Sequence, residues 1–203
     1  MAITNGYASL TQVKAALRIP VADTVDDTLL EMAIESASRL IDGHTARRFF
    51  TGGTAIRYFS AIDELVTEVD DLASSTITLQ TSTMADGVYD TTWDVDDYQL
   101  EPLNADLDGI PWAFTRIRAI KDYLFPVLGK EALVKVTGVF GFPYVPIAVT
   151  QSCVIQSSRI FKRLDSPLGV AGFGDMGAMR VSRDIDPDVA QLLMPYRRMR
   201  NYA

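Results

Sequence analysis

The residues of this chain that could carry catalysis are few. His44 is the only histidine and Cys153 the only cysteine among 203 residues, so they cannot build a typical zinc site, which has four ligands of these types. On a helical projection His44 points into the apolar arc of a predicted helix, and no nucleophile or orienting carboxylate accompanies it in a recognisable pattern. We interpret His44 as a core or helix-end residue and Cys153 as a buried structural thiol, and we predict that the protein is not an enzyme.

Three pairs of adjacent acidic residues could bind a hard cation, because carboxylate oxygens are the ligands that such ions prefer. The pairs are Asp63–Glu64, Asp70–Asp71 and Asp96–Asp97. Their spacing lacks the alternating ligands of a calcium-binding loop. We therefore interpret them as a solvated acidic rim and not as a metal site.

A glycine-rich segment, Gly169-Val170-Ala171-Gly172-Phe173-Gly174, superficially resembles a phosphate-binding loop. It follows a predicted helix instead of a strand, and no Gly-Lys-Ser or Gly-Lys-Thr sequence appears in the chain. We therefore expect no nucleotide, and no cofactor or metal of any other kind. Apolar side chains among glycines predict a mobile loop that contacts a partner.

Two predicted helices flank this segment. The first runs from Ile147 to Asp165, between the start signal Pro146 and the stop signal Pro167. Its predicted apolar face consists of Ile147, Val149, Cys153, Val154, Ile160, Phe161 and Leu164. The opposite face carries Gln151, Arg159, Lys162 and Arg163.

The last predicted helix begins with Asp186 as its N-cap and Pro187 at its first helical position. Pro195 ends it, and Tyr196-Arg197-Arg198-Met199-Arg200 forms a basic tail. The tail could contact nucleic acid through phosphates and stacking. The acidity of the rest of the chain favours docking onto an acidic protein surface.

The N-terminal segment predicts two more helices. Ser9 and Gln12 have the spacing of a capping box, and Pro20 stops the short helix that they begin. A second helix starts between Asp26 and Thr28 and runs to about His44. Its predicted core-facing arc consists of Leu29, Leu30, Ala33, Ile34, Ala37, Leu40 and Ile41. We expect this arc to pack on the helix from Ile147 to Asp165.

The middle of the chain predicts strands. Alternating or β-branched runs, separated by turn signals, occur at 54–61, 76–81, 92–100, 114–120 and 132–140. Between Tyr58 and Thr115 there are 13 acidic residues and no lysine or arginine, so we expect a strongly negative outer surface.

The sequence thus predicts an α+β fold, in which a helical layer from both chain ends carries an inserted small antiparallel β-sheet. We divide it into 1–53, N-terminal helices; 54–143, acidic β-rich insertion; and 144–203, C-terminal helices, glycine-rich loop and basic tail.

The charge distribution bears on partners. The net charge of −7 argues against a protein whose affinity comes from neutralising phosphates. Residues 1–110 contain 19 acidic and 6 basic residues, whereas 111–203 contain 7 and 13, which would let opposite charges meet between adjacent copies. The N-terminus shows no signal-peptide pattern and no run has the length of a membrane span, so we expect a soluble cytoplasmic protein.

The C-terminal helix, loop and helix resemble the C-terminal part of head-to-tail connector (adaptor) proteins of tailed bacteriophages, the family that forms the ring directly below the portal. The resemblance rests on the order and spacing of short motifs over some forty residues, and the N-terminal helices resemble the same family. The motifs are Val145-Pro146, Arg159-Ile160-Phe161-Lys162-Arg163, Asp165-Ser166-Pro167, Gly169 to Gly174, Arg180-Val181-Ser182-Arg183 and Asp186-Pro187-Asp188-Val189.

The resemblance implies a structural virion protein of the neck, between capsid and tail, that assembles in the bacterial host cytoplasm. It implies a closed homo-oligomeric ring, a dodecamer, that binds the portal protein and a downstream connector or tail protein and passes double-stranded DNA non-specifically through its lumen, with no membrane. It assigns the oligomer and portal interface to Arg159, Lys162, Arg163, Pro167, Gly169, Gly172, Phe173, Gly174, Arg197, Arg198 and Arg200. The acidic insertion is unexplained by the family, and we expect it at the periphery.

The alternative from another class is a monomeric cytoplasmic binding module whose glycine-rich loop closes on a small partner. The two readings differ in solution state, because a ring-forming protein shows oligomers or concentration-dependent association. An enzyme ranks third, since no constellation of residues supports one.

Overall fold

A computed structural model of the protein describes residues 3–104, 106–107, 110–128, 132–164, 170–172, 178–180 and 185–198. The chain forms two compact units, one from Met1–Arg47 with Val145–Ala203 and the other from Arg48–Tyr144. The first contains helices and a short hairpin, and the second contains antiparallel sheets. The predicted α+β fold class is therefore confirmed. None of the helices in the described ranges is long and apolar enough to cross a membrane.

The first two helices begin within the ranges that the sequence predicts. Helix α1 spans Leu10–Leu17, and Ser9 and Gln12 make both hydrogen bonds of the capping box. Helix α2 spans Asp27–Thr45. Lys14 connects the two helices: its side chain is buried, forms an ion pair with Asp27, and donates to the carbonyl of Asp23 at 2.6 Å. This buried ammonium fixes the turn between the helices because its hydrogen bonds would be costly to lose.

Helix α3 spans Ile147–Leu164 and packs on α2, as predicted. At the contact, Cys153 Sγ lies 3.4 Å from Ser38 Oγ and 3.8 Å from the carbonyl oxygen of Ile34. Burial raises the pKa of the Cys153 thiol, because an apolar environment disfavours the thiolate. The prediction of a buried structural thiol is confirmed.

The buried face of α3 differs from the predicted one. Ile147 and Leu164, both placed on the apolar face by the sequence, are 86% and 55% exposed, whereas Gln156, which lies outside that face, is buried. Ser157, a small polar residue within the predicted face, is buried as well and donates to the carbonyl of Cys153 in its own helix at 2.6 Å. A small hydroxyl that is satisfied in this way adds little bulk to the helix contact. The buried face is thus shifted toward Gln156, and hydrophobicity alone does not predict this shift.

The C-terminal segment ends the helical unit. Helix α4 spans Pro187–Leu193, with Asp186 as N-cap, Pro187 at its start and Asp188 in its first turn, as predicted. A 3₁₀ turn, Met194–Tyr196, follows. Between α3 and α4, strands β10 (Val170–Gly172) and β11 (Ala178–Arg180) pair antiparallel. The sequence did not predict this ladder, because strands of only three residues have no helical or alternating signature. The mobility and the partner contact expected of the glycine-rich loop stay predictions.

The second unit contains two principal antiparallel sheets instead of the one predicted. The strands of the first sheet are β1 (Thr54–Phe59), β3 (Thr78–Thr81), β4 (Thr91–Trp93) and β9 (Val134–Val139). Those of the second are β2 (Val66–Leu72), β5 (Tyr98–Glu101) and β8 (Phe114–Ala119), and a small hairpin consists of β6 (Asp106–Leu107) and β7 (Ile110–Pro111). The four-stranded sheet has the order β1-β9-β3-β4 and the three-stranded sheet the order β2-β8-β5.

One core serves these two sheets. Leu72, Leu79, Ile117 and Val136 are fully buried in it, and Trp93 stacks on Phe125 with ring centroids 4.7 Å apart. Aromatic pairs of this kind add stability beyond the area that they bury.

Two details of the sheets differ from the prediction. The run predicted as one strand at 92–100 divides into β4 and β5, which belong to different sheets. Strand β2 was missed, because its acidic residues hid the alternation in which Thr67, Val69 and Asp71 turn inward. A strand that uses a polar residue on its buried face escapes any reading based on hydrophobicity.

Candidate assembly surface

The residues to which the sequence assigned an interface role fall into three groups. Arg159, Lys162 and Arg163 lie in the last turns of α3, and Gly172 lies in β10. Arg197 and Arg198 follow the 3₁₀ turn. The remaining assigned residues lie outside the described part of the chain: Pro167, Gly169, Phe173, Gly174 and Arg200.

The basic end of α3 is not uniformly available to a partner. The Arg159 guanidinium forms an ion pair with the carboxylate of Asp186, the N-cap of α4, and the two side chains are 24% and 20% exposed. The other carboxylate oxygen of Asp186 accepts from the backbone N–H of Asp188 at 2.9 Å. Arg159 therefore holds α4 against α3, and a purely intermolecular role for its charge does not fit this arrangement.

Lys162 differs from Arg159 in its surroundings. Its side chain is exposed, and no acidic residue in the described ranges pairs with it. Arg163 is half-buried. Within the basic face predicted for α3, Lys162 is thus the cation best placed to meet a second molecule.

The start of the basic tail docks on the helical unit. The backbone N–H of Arg198 donates to the carbonyl oxygen of Thr45, the last residue of α2, at 2.8 Å. This bond satisfies one of the carbonyls that every helix leaves unpaired at its C-terminus. The start of the tail is therefore attached to the helical unit at Arg198, whereas the sequence suggested a tail that extends away from the last helix.

His44 lies beside this junction. It is half-buried in the last turn of α2, and burial together with the positive charge of Arg197 holds its pKa below the ordinary value. Both effects disfavour the imidazolium. The interpretation of His44 as a helix-end histidine is confirmed.

The acidic segment is less negative at its surface than the sequence suggested. Basic residues that lie outside that segment in the sequence form ion pairs with its acids in the fold: Arg57 pairs with Asp70 at 2.6 Å, and Arg118 pairs with Glu101 at 2.6 Å. Arg116 also pairs with Glu68 at 3.3 Å. The pairing of β8 with β2 and β5 brings Arg116 and Arg118 close to their acidic partners. Arg57 in β1 reaches Asp70 in β2 from the other sheet. A count of charges along the sequence cannot detect either arrangement.

The acid pairs proposed as a solvated rim divide in the structure. Asp63, Asp70 and Asp96 are exposed, but Asp71 and Asp97 are buried. Asp97 accepts from the backbone N–H of Asp94 at 3.0 Å and closes a turn. In the described residues no group of three or more histidine, cysteine or acidic side chains is arranged to hold a metal ion.

A surface that sequence reasoning missed runs along α2. Leu29, Met32 and Leu40, here called the α2 stripe, are 43%, 49% and 49% exposed. The sequence placed Leu29 and Leu40 on the core face, since its apolar arc was drawn wide enough to include both. The structure buries the other five residues of that arc as predicted, together with Ser38, which the sequence had placed on the outer face: Leu30, Ala33, Ile34, Ala37 and Ile41. The signal available in the sequence was Met32, which lies outside the predicted core arc but is separated by three and eight residues from Leu29 and Leu40.

Solved structures of known proteins share this fold. A chain from the virion of a native gene transfer agent particle matches with a TM-score of 0.57 and 18% identity, over 98% of this chain and 94% of that one. Chains of the neck of such particles also match: one from an empty particle computed with C6 symmetry, at TM-score 0.56, 18% identity and coverage of 98% and 94%, and one from a native particle computed with C12 symmetry, at 0.56, 16%, 98% and 93%. No protein-family model and no curated protein sequence matches the chain. At sequence identities this low, the structural matches show that the fold is shared and nothing more.

Proposed function

We propose that this protein is a structural, non-catalytic component of a virion neck, a ring between the portal and the tail or next connector. One observation carries the proposal: the fold matches chains of gene transfer agent necks and virions along nearly the whole length of both partners. The resemblance of the C-terminal motifs to phage head-to-tail connectors points to the same role independently of the fold. The proposed location is the virion neck, after assembly in the host cytoplasm.

A ring requires each subunit to present two different, mutually complementary surfaces, because a heterologous contact that closes on itself generates cyclic symmetry. The neck structures with C6 and C12 symmetry support a ring for this chain too, and we propose a dodecamer.

Passage of double-stranded DNA through such a ring calls for weak, non-specific contact. A net charge of −7 suits this role, since tight binding to DNA comes from neutralising many phosphates. The unit formed by residues 48–144 contains 15 acidic and 7 basic residues, so it would repel the DNA backbone. We therefore propose that this acidic unit faces away from the DNA, at the periphery of the ring.

Portal binding falls, in this proposal, to cations and to the glycine-rich segment. Lys162, Arg163, Arg197, Arg198 and Arg200 would meet an acidic surface, and the segment containing Pro167, Gly169, Gly172, Phe173 and Gly174 would contact the portal or a neighbouring subunit. Arg159 contributes indirectly, because its ion pair with Asp186 positions α4 and the tail that follows.

Size-exclusion chromatography with light scattering tests the proposal. We expect subunits that associate as concentration rises, and a discrete ring when the portal protein is added. A mass that stays at 22.4 kDa at all concentrations and with portal present would contradict it and favour the monomeric binding module.

A further inference from the structure

The helical unit presents two separate apolar helix surfaces. The first is the α2 stripe, Leu29, Met32 and Leu40, which lies beside the buried face of α2. Its members are three and eight residues apart, so they share one side of the helix over about 16 Å.

The second surface lies on α3. Ile147 is 86% exposed, and Val154 and Phe161 are half-buried at intervals of seven residues from it. A seven-residue spacing returns nearly to the same side of a helix, so these residues form one line of about 21 Å. This line, here called the α3 flank, lies beside Cys153 and Ser157, which face the core.

We infer that the α2 stripe of one subunit packs against the α3 flank of the next, an inference that rests on the proposed ring. Exposed leucine, methionine and isoleucine side chains aligned on helices are typical of surfaces that another molecule covers. The two surfaces are different and of similar length, and a heterologous ring contact needs two such surfaces. A second copy of this chain is therefore the occupant that fits both at once.

The charges of the two segments favour this pairing over a symmetric one. Residues 1–47 contain 6 acidic and 4 basic residues, whereas residues 145–203 contain 5 acidic and 8 basic residues. Joining an N-terminal segment to a C-terminal segment brings opposite net charges together, but joining two copies of α2 brings like charges together. Charge thus selects a head-to-tail contact, which continues around a ring, against a two-fold dimer.

Paired cysteines test the contact directly. The variants are Leu29→Cys with Ile147→Cys, and Leu40→Cys with Ile147→Cys, so that either relative direction of the two helices is sampled. The native Cys153 is fully buried and does not react in the folded subunit. Each protein is treated at high concentration with a short flexible bis-maleimide and analysed on a denaturing gel.

The double variant whose two cysteines meet at a head-to-tail contact should form covalent multimers larger than a dimer, which appear as a ladder on the gel. Each single variant alone should give no covalent multimer, and a mixture of two complementary single variants should stop at dimers. The matched control, Ala15→Cys with Ile147→Cys, replaces the partner on α2 by an exposed residue of α1 and should give no ladder.

Three results would overturn the inference. Ladders absent from both pairs, while the wild-type protein still assembles into rings, would show that the ring uses other surfaces and would leave the proposed function intact. Dimers from Leu29→Cys or Leu40→Cys alone would show a two-fold α2 contact. A wild-type protein that never assembles, even with portal, would remove the proposed function and this contact together.

Discussion

Arg159 in α3 and Asp186 at the start of α4 form an ion pair in which the carboxylate also caps the helix that follows. Twenty-six residues separate the two in sequence, including the glycine-rich segment. The pair thus closes a large excursion of the chain, and Gln156 adds a second tie by accepting from the backbone N–H of Asp186 at 3.3 Å. The resemblance assigned Arg159 to an intermolecular interface, but in the fold its ion pair with Asp186 joins two parts of the same chain.

The first prediction concerns this ion pair. Asp186→Ala removes both the ion pair and the N-cap, so we expect it to lower the free energy of unfolding by about 1–2 kcal/mol. Asp186→Asn keeps a capping oxygen and should cost less. Urea denaturation followed by circular dichroism measures both. Lys162→Ala is the control, since this exposed lysine should change stability by less than about 0.5 kcal/mol; an Asp186→Ala protein as stable as that control would contradict the assigned role.

The second prediction concerns the tail. Replacing Arg197, Arg198 and Arg200 together by glutamate should abolish the joining of heads to tails and leave the subunit folded, because the hydrogen bond from Arg198 to Thr45 uses the backbone. Counting tailed particles by electron microscopy measures joining, and a thermal melt checks the fold. Tailed particles at the wild-type level would show that these charges have no docking role.

The third prediction concerns His44. Its folded-state pKa is lowered by burial and by Arg197, so the unfolded chain binds a proton more readily than the folded one. Stability from this residue is present above its unfolded pKa of about 6.5 and is lost as pH falls through that value toward the folded pKa. His44→Gln should flatten this part of the stability profile, measured by denaturation between pH 7 and pH 5.

Arg197→Gln supplies the matched test of cause. Removing the neighbouring charge should raise the pKa of His44 in an NMR titration, but not to its ordinary value, since burial remains. A His44 pKa that is unchanged in Arg197→Gln would show that the two side chains do not interact.

The fourth prediction concerns Phe173, which lies outside the described residues and is assigned to the interface by the resemblance alone. A phenylalanine contributes about 1.5–3 kcal/mol when fully buried. If a neighbouring subunit or the portal buries it, Phe173→Ala should impair assembly with no change in the subunit's melting temperature. A lowered melting temperature of the isolated subunit would assign Phe173 to the subunit's own core.

Much of the helical unit could be predicted because its signals are local. The capping box at Ser9 and the Asp186-Pro187 start depend on residues within one turn, and each begins a helix in the structure. What failed depended on distant contacts. The exposure of Leu40 and the burial of Gln156 follow from which side of each helix its neighbours occupy, and no single segment encodes that.

The same difference between local signals and distant contacts explains which features of the sheets and of the α2 stripe the sequence did not predict. The negative surface expected from 13 acidic residues is partly neutralised because Arg57, Arg116 and Arg118 arrive from strands elsewhere in the chain. The sequence assigned Leu29 and Leu40 of the α2 stripe to the core, because the helical pattern of a leucine is the same whether its own chain or another copy covers it.

Electron microscopy of the purified protein, alone and with its portal, tests the central claim most directly. The account predicts end-on class averages that show closed rings with an open lumen and twelvefold symmetry, more abundant when the portal is present. Particles that remain single subunits in both samples, or that form only two-fold dimers, would contradict it.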